Sequence, residues 1–209
     1  MRAASPARRS SRGGQRRSSA GQRADPGGPP AEDGAGSDPE ADPEADPEAV
    51  ARSICLTQLE HAPRTRAELA AVLARRGVPE EAAQAVLGRF AEVGLIDDAL
   101  FARRWVDSRH RGRGLAPAAL RSELRRKGVD DEDVTAAVEQ LDPGTQLVTA
   151  RALVDRRLAT TRGLETQTRV RRLAGMLARK GYPAGVAFRV VREALAEDGD
   201  DGEVPELEQ

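Results

Sequence analysis

Few residues of this 209-residue chain could do chemistry, and none is spaced for it. Cys55 is the only cysteine, so no disulfide can form within the chain, and a lone thiol on an apolar stretch reads as a core residue. His61 and His110 are the only imidazoles, and neither has a His or Cys neighbour at metal-ligand spacing. The adjacent carboxylates Asp97 and Asp98 could share a metal or a proton. They stand between Leu95-Ile96 and a new apolar-periodic stretch, so they read as a helix N-cap. The segment RGRG (111–114) is too short to cradle a phosphate and reads as a turn between two helices. There is neither a G-x-x-x-x-G-K-[ST] loop nor a G-x-G-x-x-G after a strand. The expectation is a protein that is not an enzyme and needs neither cofactor nor metal.

What the chain has in quantity is positive charge in particular places. Net charge is −1, but this sum hides segregation. Residues 1–23 carry seven arginines and no acid, residues 24–49 nine acids and no base, and residues 197–209 seven acids and no base. The body between them, 50–196, holds 26 basic and 18 acidic residues. Within it the net charge climbs from −1 over 50–98 to +1 over 99–142 and +8 over 143–196. Such a field favours a polyanion or an acidic protein surface. The candidate contacts are Arg103, Arg104, Arg109, Arg111, Arg113, Arg121, Arg125, Arg126 and Lys127, with a second patch of Arg171, Arg172, Arg179 and Lys180. Arg121 and Arg125 stack one turn apart, whereas Arg126 lies round the cylinder and Lys127 falls near an apolar stripe, so a subset is expected to touch the partner. Glu123 can also pair with Lys127 at i,i+4.

The elements that must position these residues are helices. Residues 1–49 are almost free of large apolar side chains and read as a disordered low-complexity tail. In DPEADPEADPEA (38–49) the recurring proline blocks a regular helix. Residues 197–209 read as a second, acidic disordered tail. The basic N-terminal stretch lacks the apolar core of a secretory leader, and no apolar run approaches the ~20 residues of a membrane span. A cytoplasmic monomer is expected.

Between the tails one skeleton occurs three times: Leu, three residues, Leu, three residues, Gly, then a bulky residue. It is Leu69-Leu73-Gly77-Val78, Leu120-Leu124-Gly128-Val129 and Leu173-Leu177-Gly181-Tyr182, with the glycines 51 and 53 residues apart. The leucines one turn apart define a buried helix stripe, and the glycine supplies the left-handed residue that ends the helix. Thr65 and Glu68 form a capping pattern before the first copy, and Asp130 and Pro183 open the helices that follow the second and third. Each pair is preceded by a further apolar helix, around Ile54–Leu59, Leu100–Val106 and Leu147–Leu158. The expected fold is all-α: three tandem three-helix repeats (50–98, 99–143 and 144–196) forming an elongated helical array. Leu100, Phe101, Trp105, Leu120, Leu124, Val134, Val138 and Leu141 are expected to form the middle core.

The middle repeat carries a resemblance. The stretch GLIDDALFARRWVDSRHRGRGLAPAALRSELRRKGV (94–129) resembles the signature of the bacterial RecX regulatory proteins. There an Asp-x-x-Phe-Ala-x-x-Trp-Val segment leads through an Arg-rich turn to a Leu-Arg-x-Glu-Leu-x-x-Lys-Gly helix. Asp97, Asp98, Phe101, Ala102, Trp105, Val106, Arg109, Leu120, Glu123, Leu124, Lys127 and Gly128 occupy those positions, and the three repeats extend the likeness over 50–196. The resemblance implies a helical regulator that binds the RecA recombinase filament along its groove and lowers filament growth, ATP hydrolysis and strand exchange; weak DNA contact assisting that docking is a separate expectation from the basic residues. From the residues alone, a direct DNA-binding helix-turn-helix protein stays open as the alternative.

Overall fold

The computed structural model describes residues 46–199. Among the described residues there are nine α-helices and no strand: α1 (Pro47–His61), α2 (Arg66–Arg75), α3 (Glu80–Glu92), α4 (Asp98–Arg113), α5 (Pro117–Arg126), α6 (Asp131–Glu139), α7 (Pro143–Leu158), α8 (Thr166–Arg179) and α9 (Ala184–Glu197). A short 3-10 turn, Ala159–Thr161, follows α7. The helices group in threes, as the repeats require: α1–α3, α4–α6 and α7–α9 each pack chiefly among themselves.

Each first helix starts on an aspartate. Asp46 accepts from the Glu48 amide at 3.1 Å, Asp97 from Leu100 at 2.7 Å and Asp142 from Thr145 at 2.6 Å. This corrects two readings. Asp46-Pro47 opens α1, so helix already covers residues assigned to the tail, and Asp142-Pro143 opens α7, so the third repeat begins just before residue 144. A proline at the first helical position loses an amide hydrogen that would be unpaired anyway, and no further proline interrupts α1. The rest of the expected N-terminal tail lies outside the described residues.

Each second helix follows the shared skeleton. Leu69, Leu73, Leu120, Leu124, Leu173 and Leu177 are all buried. Gly77, Gly128 and Gly181 stand at φ 72°, 73° and 87°. Beyond each glycine the chain turns back, and the amides of Val78, Val129 and Tyr182 donate to the carbonyls of Leu73, Leu124 and Leu177 at 3.1, 3.2 and 3.1 Å. The bulky residue after the glycine is thereby folded onto the helix it follows, and Val129 and Tyr182 are buried there.

Three separate apolar clusters result, one per repeat. Cys55 is fully enclosed in the first, and burial raises its thiol pKa. The middle cluster holds Phe101, Leu120, Leu124, Val134 and Val138, with Trp105 and Leu141 packed at its edge. Leu100, expected there, is half-buried outside it, because the inward stripe of α4 runs through Phe101, Ala102, Val106 and His110 instead. Likewise RGRG is not all turn: Arg111–Arg113 complete α4, and Gly114 alone, at φ 63°, makes the reversal.

The third repeat is closed by charge. Arg169 is buried, and its guanidinium meets Asp198 at 2.6 Å, as does that of Arg162. These two cations hold the Asp198 carboxyl down to about 2. Glu197 is the last residue of α9 and takes two hydrogen bonds from Arg151, at 3.0 and 2.6 Å. Glu197 and Asp198 therefore belong to the fold and not to the acidic tail, whose residues from 200 on lie outside the described residues.

Candidate partner-binding surface

Along α4, Phe101, Trp105 and Arg109 form a ladder one turn apart. The two rings stack at 5.6 Å, and the Arg109 guanidinium sits 4.0 Å from the indole centroid. From α5, Glu123 accepts the indole N–H at 2.9 Å and lies 3.6 Å from Arg109. Lys127 places its ammonium 4.4 Å from the indole and 5.5 Å from the Phe101 ring. The expected Glu123–Lys127 pair does not form. The indole N–H and Arg109 engage Glu123, and Lys127 reaches Glu68 of the first repeat at 2.6 Å.

Lys127 thus belongs to a junction. Its carbonyl accepts from the Thr65 hydroxyl at 2.6 Å, and Thr65 in turn accepts the Glu68 amide at 3.1 Å as the cap of α2. Beside it, Asp98 accepts the Arg66 amide at 2.9 Å. Of the two adjacent aspartates, only Asp97 caps α4, while Asp98 ties the first repeat to the second. Burial raises the Asp98 pKa, opposed by that amide. Lys180 holds the same position in the third repeat. Its carbonyl accepts the Ala116 amide at 2.8 Å, and its ammonium donates to the Arg113 carbonyl. Burial lowers the Lys180 pKa, and the nearby Arg113, Arg156 and Arg157 push the same way. These are the chain's only two lysines, and both seat their repeat on the one before.

The other candidates divide by exposure. Arg103, Arg104, Arg111, Arg125, Arg126, Arg171, Arg172 and Arg179 are exposed, while Arg109, Arg113 and Arg121 are half-buried. Arg111 is bridged to Asp107 at 3.4 Å and Arg125 to Asp131 at 2.7 Å. Arg126 donates only to the Ser122 carbonyl of its own helix, at 3.3 Å. Among the described residues, no salt bridge engages Arg103 and Arg104 on α4, Arg126 on α5, or Arg171, Arg172 and Arg179 on α8, and these are the open guanidiniums of the surface. The junction residues Thr65, Glu68, Asp98 and His110 were not singled out by sequence as contacts. His110 is buried, with Nδ1 2.9 Å from the Leu115 carbonyl and Nε2 3.0 Å from the Thr149 hydroxyl of the third repeat. Only its place in an apolar stripe hinted at burial.

Three like three-helix units, joined in order through Lys127 and Lys180, define a tandem helical-repeat protein. Residues 51–90, 97–138 and 145–191 match, in order, the first, second and third three-helix domains of RecX, and the chain belongs to the RecX family. It is 58% identical over 159 residues to the regulatory protein RecX of Thermobifida fusca (strain YX), covering 76% of this chain and 86% of that one. It is 59% identical over 153 residues to the regulatory protein RecX of Streptomyces coelicolor, covering 73% and 81%. A crystal structure of regulatory protein RecX superposes with a TM-score of 0.65 at 26% identity over 71% of this chain and 72% of that one. That of RecX from Lactobacillus salivarius gives 0.66 at 18% identity over 71% and 96%, a likeness of fold alone. No helix among the described residues is long and apolar enough to cross a membrane.

Proposed function

We propose that this chain is a cytoplasmic regulator that binds the RecA recombinase filament as a monomer and lowers its growth, ATP hydrolysis and strand exchange, by contact rather than by chemistry of its own. The observation that carries the reading is the set of open guanidiniums on α4, α5 and α8, on a chain whose relatives are regulatory proteins. Several weak contacts along one polymer raise avidity without any single tight site. Direct DNA recognition fits less well. The third helices of the first two repeats begin with Glu80-Glu81 and Asp131-Glu132-Asp133, which phosphates would repel at the end a recognition helix must insert.

The test is a pull-down with recombinase, ATP and single-stranded DNA, beside an ATPase assay. Wild-type chain is expected to co-sediment and to slow hydrolysis. Arg103→Glu with Arg104→Glu should weaken inhibition and leave the helical melt in place. Tight binding to bare DNA with a steep salt slope, and no effect on the recombinase, would establish the DNA reading instead.

A further inference from the structure

The end of each second helix repeats more than leucine and glycine. The three copies read LARRG, LRRKG and LARKG, so the two positions before the glycine are basic in each. The structure gives the two bases different work. The second, as Lys127 and Lys180, faces the preceding repeat. The first, as Arg75, Arg126 and Arg179, is exposed in all three repeats. Among the described residues none of these three is salt-bridged, unlike Arg109, Arg111, Arg125, Arg151 and Arg162. A small residue, Ala71, Ser122 or Gly175, stands one turn earlier. That leaves room for the arginine to lie back along its helix: Arg126 donates to the Ser122 carbonyl, and an Arg179 nitrogen lies 3.6 Å from where a Cβ on Gly175 would be. Of the chain's exposed bases, only this position recurs three times in the motif.

We infer that Arg75, Arg126 and Arg179 form one contact row, each docking on a like carboxylate of successive protein subunits in a polymeric partner. This rests on the proposed binding to the recombinase filament and names how the contact is divided among the repeats. A repeated partner asks for a repeated donor. Both junctions seat a Lys-Gly pair on the first turn of the preceding second helix, so the row recurs at like steps. The charge balance favours carboxylates over phosphates. The first repeat is net −1 and the second +1, so a continuous polyanion would be repelled or ignored there, yet Arg75 is exposed and without a salt bridge among the described residues. A discrete carboxylate senses the guanidinium at contact range and little of the screened surface beyond it.

The experiment compares Arg75→Gln, Arg126→Gln, Arg179→Gln and the triple variant, in the full chain, for affinity to recombinase filaments at fixed salt, with thermal melts alongside. Independent contacts predict about a fivefold loss for each single change and about a hundredfold for the triple, with melts close to wild type. The Arg→Lys triple variant, which keeps the charge at each helix end, should recover only part of the affinity. Wild-type binding matched by the triple variant within about twofold overturns the row, as does loss confined to one position. A loss on bare DNA, with the salt slope falling by about three, assigns the row to phosphates and overturns the carboxylate partner. Failure of the wild-type chain to bind filaments overturns the underlying reading, and the row with it.

Discussion

The two junctions between repeats use the same residues in different chemical settings. At the first, Lys127 finds a carboxylate: Glu68 at 2.6 Å, with aromatic rings beneath the ammonium. At the second, Lys180 finds only a carbonyl, in the company of three arginines. The first seam is polar, built from Thr65, Arg66, Glu68 and Asp98. The second is partly apolar. Ala116 of the middle repeat is buried in the third repeat's cluster, and Leu153 of α7 packs where a side chain on Gly114 would stand. A repeat fixes where a residue sits relative to its neighbour. The neighbour's side chains decide whether that place stabilises a charge.

The largest effects should come from the glycines. A Cβ on Gly181 would lie 2.5 Å from the Ala119 nitrogen, and one on Gly128 would lie 2.3 Å from the Ala67 Cβ, whereas Gly77 has open space around it. All three share the positive φ that disfavours alanine. Gly77→Ala should therefore cost about 1–2 kcal/mol, and Gly128→Ala and Gly181→Ala about 2–5 kcal/mol, in denaturant melts. Equal losses at all three would show that the glycines serve only helix ends and that the seams are not close-packed.

The lysines come next. Lys127→Met removes an ion pair whose two side chains are each 23% exposed, and should cost about 1–2 kcal/mol. Lys180→Met removes a disfavoured charge and should leave the melting temperature unchanged or slightly raised. The sign with pH follows from the lowered Lys180 pKa. The penalty is present while lysine is charged in both states, and it fades as pH rises from the folded-state value to the ordinary one near ~10.4. Any gain of the variant should shrink over that range. A loss at Lys180 as large as that at Lys127 would erase the difference between the seams.

The smallest effect belongs to Tyr182, which takes the place of Val78 and Val129 and belongs to the cluster that the second seam shares. Its hydroxyl is buried without a hydrogen-bond partner, and burial pushes its pKa up to about 12. Tyr182→Phe should be neutral or stabilising by up to about 1 kcal/mol. Destabilisation would mean that the hydroxyl is satisfied in solution and that this seam is wetter than its packing indicates.

The sequence displayed what is local. Leucines one turn apart followed by glycine announce a buried stripe and its end, and all three copies folded so. Capping by Thr65, Asp97 and Asp130 was equally visible, because a cap needs only residues two or three positions on. The boundary at Asp46 was hidden because the Asp-Pro cap is the last unit of a low-complexity run, although Asp142-Pro143 spells the same signal. Asp198 was hidden for a different reason: its partner Arg169 is 29 residues away, and only tertiary structure brings them together. In the candidate surface, the sequence supplied the bases but not their division. Arg126 and Lys127 are neighbours of like charge, and what turns one outward and gives the other to Glu68 is the repeat before them.

Trp105 is the chain's only tryptophan, and two positive charges flank its ring. One of them, Lys127, is held across the first seam by Glu68. Releasing Lys127 from Glu68 would free its ammonium to shift against the indole within its own repeat. The protein thus carries a native optical gauge: its ultraviolet emission is expected to report on the charges beside this one ring, undiluted by any second fluorophore of the same kind.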